Sequence, residues 1–160
     1  MILGMTTFAA IHVLLSLIGI ASGLVVLSGL LTANPMKSWT LLFLVTTLAT
    51  TLTGFLFPFG GFTPALGVGV LSTLILLVTL AARYRFQMVG ACCWIYVVGA
   101  LLAQYLNSFV LVVQSFLKIP ALHALAPAGT EPPFAAAQGV VLLFYVVTGF
   151  LAVRRFHPTV

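Results

Sequence analysis

Long apolar runs alternate along the chain with short polar breaks, and most charged residues fall in the breaks. Five runs stand out, at 6–31, 39–57, 64–82, 91–117 and 134–153. A helix needs about 20 apolar residues to cross a hydrocarbon core of roughly 30 Å, and each run comes close to that length or exceeds it. Asn34-Pro35 separates the first two, Pro58 with Gly60-Gly61 the next pair, and Arg83-Tyr84-Arg85 the third from the fourth. Residues 118–133 form the longest connection. The pattern predicts an all-α integral membrane protein, a single five-helix transmembrane bundle whose second and third helices pair as an antiparallel hairpin. The first run is expected to persist as a helix. A signal peptide has a basic start and an apolar run of about 7–15 residues, whereas here no Lys or Arg precedes Lys37.

Composition narrows the class further. Hydrophobic residues make up 62% of the 160 and charged ones 4%, against roughly 25% charged in a soluble domain. The chain lacks the polar shell that a soluble enzyme, a nucleic-acid-binding protein or a disordered tail requires. Its formal charge of +5 reflects a shortage of acids, since Glu131 is the only one. With five crossings, Lys37, Arg83, Arg85, Arg154 and Arg155 share one side of the membrane, and Lys118 and Glu131 share the other. The positive-inside rule then predicts an outside N-terminus and a cytoplasmic C-terminus, in a plasma membrane such as the bacterial inner membrane. Trp39, Tyr84, Trp94 and Phe156 are expected at the cytoplasmic boundary, and Phe57, Phe59, Phe62 and Phe134 at the outer one.

No Asp, Glu, Lys or Arg is expected well inside a run, so the candidate chemistry rests on neutral polar groups. His12, Gln114 and Gln138 fall within roughly 10 Å of the outer interface at 1.5 Å rise per residue. Asn107 and Gln104 continue the polar line toward the middle of the bilayer. His12, Ser16, Gly19 and Gly23 share one narrow helical face, and Gly19/Gly23 form a small-xxx-small pair suited to close backbone approach. Gln104, Asn107, Leu111 and Gln114 form a similar stripe on the fourth helix, and Gln138, Leu142, Tyr145 and Gly149 one on the last. Amides turned toward lipid are costly, so the three faces are expected to point at one another. The connection 118–133 lies on the same side, where His123 and Glu131 would gate or complete the mouth of a site.

Sharper motifs give way to plainer readings. His12, His123 and Glu131 have the composition of a two-His-one-carboxylate metal site but no local ligand spacing, and a bis-histidine haem needs a second histidine within a run. Adjacent Cys92-Cys93 is not the Cys-x-x-Cys of a thiol oxidoreductase. Gly67-Val68-Gly69 lacks the setting of a nucleotide loop, and Thr47, Thr51 and Gly54 fit helix packing.

The leading expectation is a non-enzymatic membrane protein with an outward-facing polar pocket. It would bind or pass a small, largely apolar molecule, quinone-like or lipid-like, using His12, Gln104, Asn107, Gln114, Gln138, His123 and Glu131. The alternative is a structural or accessory subunit of a larger membrane complex, or a homo-oligomer joined through the Gly19/Gly23 face, in which the amides are interhelical glue. A membrane enzyme with an outer metal site comes third. The expected partner in every case is the lipid bilayer; no nucleic acid is expected, and the residues specify no cofactor.

Overall fold

The computed structural model describes residues 6–58, 61 and 63–157, and it is all-helical, with no strand among them. Phe59, Gly60 and Phe62 lie outside the described residues. Six helices follow in order: α1 (Thr7–Leu31), α2 (Lys37–Gly54), α3 (Pro64–Leu80), α4 (Ala91–Lys118), α5 (Pro120–His123) and α6 (Pro132–Arg155). A π turn, Ala81–Arg85, prolongs α3.

Local chemistry sets the ends. The Thr6 hydroxyl accepts the Ala9 amide at 3.2 Å and the Thr63 hydroxyl accepts that of Leu66 at 3.3 Å, each satisfying a donor that the first helical turn leaves unpaired. Pro64, Pro120 and Pro132 open their helices, where a missing N–H costs nothing. Four helices are long and apolar enough to cross a membrane: α1, α3 with its π turn, α4 and α6. The chain is thus an integral membrane protein. The second run falls short of that measure: α2 reaches 18 residues, but Lys37, Ser38 and six threonines lower its apolarity.

Helices α1 to α4 form a ring in which each packs on the next and α4 closes against α1. Leu30, Phe43, Leu44, Leu76, Tyr96, Val97 and Ala100 fill its centre. Helix α6 lies outside the ring against α4 and α1, and buries only Tyr145 and Ala152.

The small-residue face of α1 packs against neighbouring helices of the same chain. A Cβ on Gly19 would sit 3.3 Å from the Thr47 hydroxyl, and one on Gly23 would overlap the Gln104 amide. Gly19 and Gly23 therefore serve contacts within the chain.

One expectation is corrected at the end of the bundle that carries most of the bases. Phe156 does not lie at a lipid boundary. The chain leaves α6 in an extended conformation there, and the ring turns in beneath Tyr96, 6.0 Å between centroids and 1% exposed. Arg83 is enclosed at this end as well, being only 6% exposed. It lies 4.8 Å over the Tyr96 ring, donates to the Pro35 carbonyl at 3.3 Å and contacts the Met88 sulfur at 3.1 Å. The π turn rotates this side chain into the bundle base. Ala33, Met36, Gln87 and Met88, in the two loops that enclose it, all have positive φ, a conformation that non-glycine residues adopt only under constraint from their surroundings.

Candidate functional site

The polar residues singled out in the sequence are placed by separate pairs of helices. His12, on α1, meets Thr53 near the end of α2, with Nδ1 and Oγ1 2.8 Å apart. The Thr53 hydroxyl has one proton and donates it to the Ala49 carbonyl at 2.7 Å. With its proton directed there it accepts from the Nδ1–H tautomer of His12; the Nε2–H tautomer reverses the bond, with Thr53 donating to Nδ1. Phe57 packs its edge against the imidazole at 5.1 Å, and Phe8 packs on Phe57 at 5.0 Å.

Gln104 is the most enclosed amide. It donates from Nε2 to the Ile20 carbonyl at 2.8 Å, is 2% exposed, and occupies the space that Gly23 leaves by having no side chain. Its Oε1 has no partner, and a void of about 10 Å³ lined by Gly23, Leu27, Phe43 and Gln104 lies beside it. That volume is near the minimum for one water.

One turn along α4, Asn107 donates from Nδ2 to the Thr47 hydroxyl at 3.1 Å, so the α4 stripe ties α1 with one residue and α2 with the next. Gln138 donates to the Phe109 carbonyl at 3.2 Å, joining α6 to α4, and its Oε1 is likewise unpartnered. Gln114 is exposed near the end of α4, and His123 is exposed on α5.

Glu131 precedes α6 and turns back on its own loop, accepting the Ala128 and Thr130 amides at 2.9 Å each. The Ala128 amide foremost, helped by its neighbours, holds the carboxyl below the usual carboxylate range, because hydrogen bonds to the charged form favour it.

The seven residues therefore do not line one cavity. His12, Gln104, Asn107 and Gln138 each make an interhelical tie, Gln114 and His123 face outward, and Glu131 shapes its loop. Among the described residues no group of three His, Cys, Asp or Glu side chains could hold a metal, so His12, His123 and Glu131 are not assembled as ligands. The Cys93 thiol donates to the Phe156 carbonyl at 3.5 Å, Gly69 accommodates the Phe55 ring, and Thr51 bonds back to the Thr47 carbonyl. All three are packing contacts.

A cavity that sequence reasoning missed opens on the opposite face of α4. Helices α4 and α6 enclose a groove of about 490 Å³, lined by Leu101, Leu102, Tyr105, Leu142, Val146 and Phe150 among others, with Arg154 its one charged member. None of the seven candidates lines it. The Tyr145 hydroxyl is 2.9 Å from Ser108 Oγ, so its polar tip is satisfied while its ring faces the groove and packs edge-on to Tyr105 at 6.0 Å. The available signal was geometric: Leu142, Tyr145 and Gly149 share a stripe whose only strongly polar member, Gln138, lies one turn further out. Comparison with known proteins finds no matching family model, no similar curated protein and no similar solved structure.

Proposed function

We infer that the protein binds a small, largely apolar amphiphile, lipid-like or quinone-like, taken sideways from the bilayer into the α4–α6 groove. The single observation that carries this reading is the groove: about 490 Å³ of apolar-lined space on the flank of a membrane bundle. Apolar pockets with a few convergent polar groups are the usual form of small-molecule sites. The seven amides, imidazoles and carboxylate proposed from sequence as an outward polar pocket mostly satisfy one another's helices instead. In this reading they hold the scaffold, and the ligand contacts α4 and α6.

The proposal includes five crossings, an outside N-terminus and a cytoplasmic C-terminus, in a plasma membrane of the bacterial type. Helix α2 supports it despite its threonines. Hydroxyls of Thr46, Thr51 and Thr53 bond to carbonyls of the preceding turn, which hides their polarity. The helix also runs antiparallel to α1, from the Arg83 end to the His12 end. A reporter fused after residue 160 should then behave as cytoplasmic and a tag at residue 1 as external. Both termini on one side would overturn the crossing count.

The binding reading is tested with a photoreactive fatty-acyl probe in membranes. Crosslinks are expected on Tyr105, Leu142, Val146 and Phe150. Crosslinks that avoid these and fall near His12 and Gln114 would return the site to the outer face.

A second reading has its own observation in favour. Helix α6 leaves Val140, Leu143, Phe144, Val147 and Phe150 exposed, so a partner helix could cover it and make the chain a subunit of a larger membrane complex. A stoichiometric protein partner retained in gentle extraction, with no lipid in the groove, would establish that role.

A further inference from the structure

The groove differs from one end to the other. Its lining is uncharged from Leu142 to Val153, and Arg154 closes it in the last turn of α6. The twelve steps from residue 142 to 154 cover about 18 Å at 1.5 Å per residue, slightly more than half of a hydrocarbon core of roughly 30 Å. The groove is therefore about as long as one leaflet is deep, and its cation lies where that leaflet's headgroups begin.

The electrostatics at this end are one-sided. The Arg154 guanidinium lies 4.0 Å over the Phe150 ring. Stacked in that way, it keeps its N–H edges available for a planar or tetrahedral anion. Arg155 follows it, and the only acidic side chain, Glu131, stands at the opposite end of the same helix. Basic groups beside clefts between membrane helices attract anionic headgroups, and arginine matches a phosphate with paired N–H donors.

We propose that the α4–α6 groove is a site for an anionic phospholipid, with an acyl chain along Leu142, Val146 and Phe150 and the phosphate accepting from Arg154. The assignment rests on the reading of the groove as an amphiphile site and adds to it the headgroup charge, the leaflet and the residue that selects it. A zwitterionic headgroup gains less here, because its own cation is repelled by Arg154 and Arg155.

The test is native mass spectrometry of the full chain, titrated with phosphatidylglycerol and phosphatidylcholine of identical acyl chains. Phosphatidylglycerol should bind roughly tenfold more tightly, about 1.4 kcal/mol, because the choline cation of phosphatidylcholine offsets its phosphate's attraction to Arg154. Arg154→Gln should bring it down to the phosphatidylcholine level, while Arg155→Gln, which removes the same charge outside the groove, should preserve most of the preference. Val146→Trp fills the groove from an exposed position and should weaken both lipids. Equal binding of the two lipids by the unaltered chain, or a preference that survives Arg154→Gln, would overturn the headgroup assignment and leave the groove standing. If Val146→Trp changes neither lipid, the groove itself is not the site and both readings fall.

Discussion

Helix α4 is held in opposite ways on its two sides. Toward α1 and α2 it meets its neighbours through Gln104 on the Ile20 carbonyl, Asn107 on Thr47, and the close approach that Gly23 permits. Toward α6 it meets aromatic and aliphatic side chains, with Ser108–Tyr145 and Gln138–Phe109 as its polar ties and a groove between the helices. In a bilayer, lipid tails compete with apolar side chains on equal terms, so apolar contact alone does little to hold two helices together. Directional bonds and backbone fit do. Both sides carry polar ties, so the side that adds close backbone fit is the scaffold, and the side whose ties flank an open groove is where a foreign chain can be accommodated.

The largest expected effect tests that contrast directly. Gly23→Leu forces a side chain onto Gln104 and should cost about 1–3 kcal/mol, the usual range for overpacking, read as a fall in Tm in detergent. Gly149→Leu on α6, where a Cβ would lie 3.6 Å from Leu101 Cδ1 beside the groove, should lower Tm much less. Equal losses would mean that both sides of α4 are equally committed to packing.

A smaller effect resolves the scaffold into its bonds. A double-mutant cycle of Asn107→Leu and Thr47→Val should return a coupling near the average of about 0.6 kcal/mol for interhelical polar pairs in membranes. A coupling of zero would leave the shape of Gly19 and Gly23 as the main determinant.

Sequence reasoning reached the scaffold more readily than the groove, for a physical reason. Helical periodicity places Gln104 and Asn107 on one stripe and Gly19 and Gly23 on another, and the cost of an amide in lipid turns both inward. Nothing in that argument says whether inward residues meet a cavity or a neighbour's carbonyl, so ties were read as a pocket. The groove's residues are ordinary lipid-facing side chains, and only the placement of α6 outside the ring brings them together as a groove. Arg83 escaped notice because charge patterning treats every base at the end of a run alike, whereas the π turn decides which of Arg83 and Arg85 enters the bundle. The second run was legible as a helix, but its threonines lowered its apolarity and obscured its role.

The smallest expected effect concerns the connection before α6. Glu131 has a carboxyl pKa lowered by the Ala128 amide foremost and by its neighbours, so its contribution is complete above the ordinary carboxylate range and lost as pH falls through the lowered value. Amide resonances of Ala128 and Thr130 should shift together on acidification, and Glu131→Gln should abolish that shift. Resonances of the α1–α4 scaffold should stay in place throughout. If they move with the loop, the loop and the scaffold form one cooperative unit.

The Arg83 cluster also has a mechanical consequence. At that end one guanidinium joins the α1–α2 loop through Pro35, the α3–α4 loop through Met88 and α4 through Tyr96, while Cys93 holds the Phe156 carbonyl beyond the end of α6. At the other end the described ties link helices only in pairs: His12 with Thr53 across α1 and α2, and Phe116 with Phe134 across α4 and α6. A bundle pinned at one end and paired at the other bends as a set of levers about a common pivot. The end of the groove beside Arg154 therefore lies next to the cross-linked end of the bundle, and its far end next to the end whose ties join helices only in pairs.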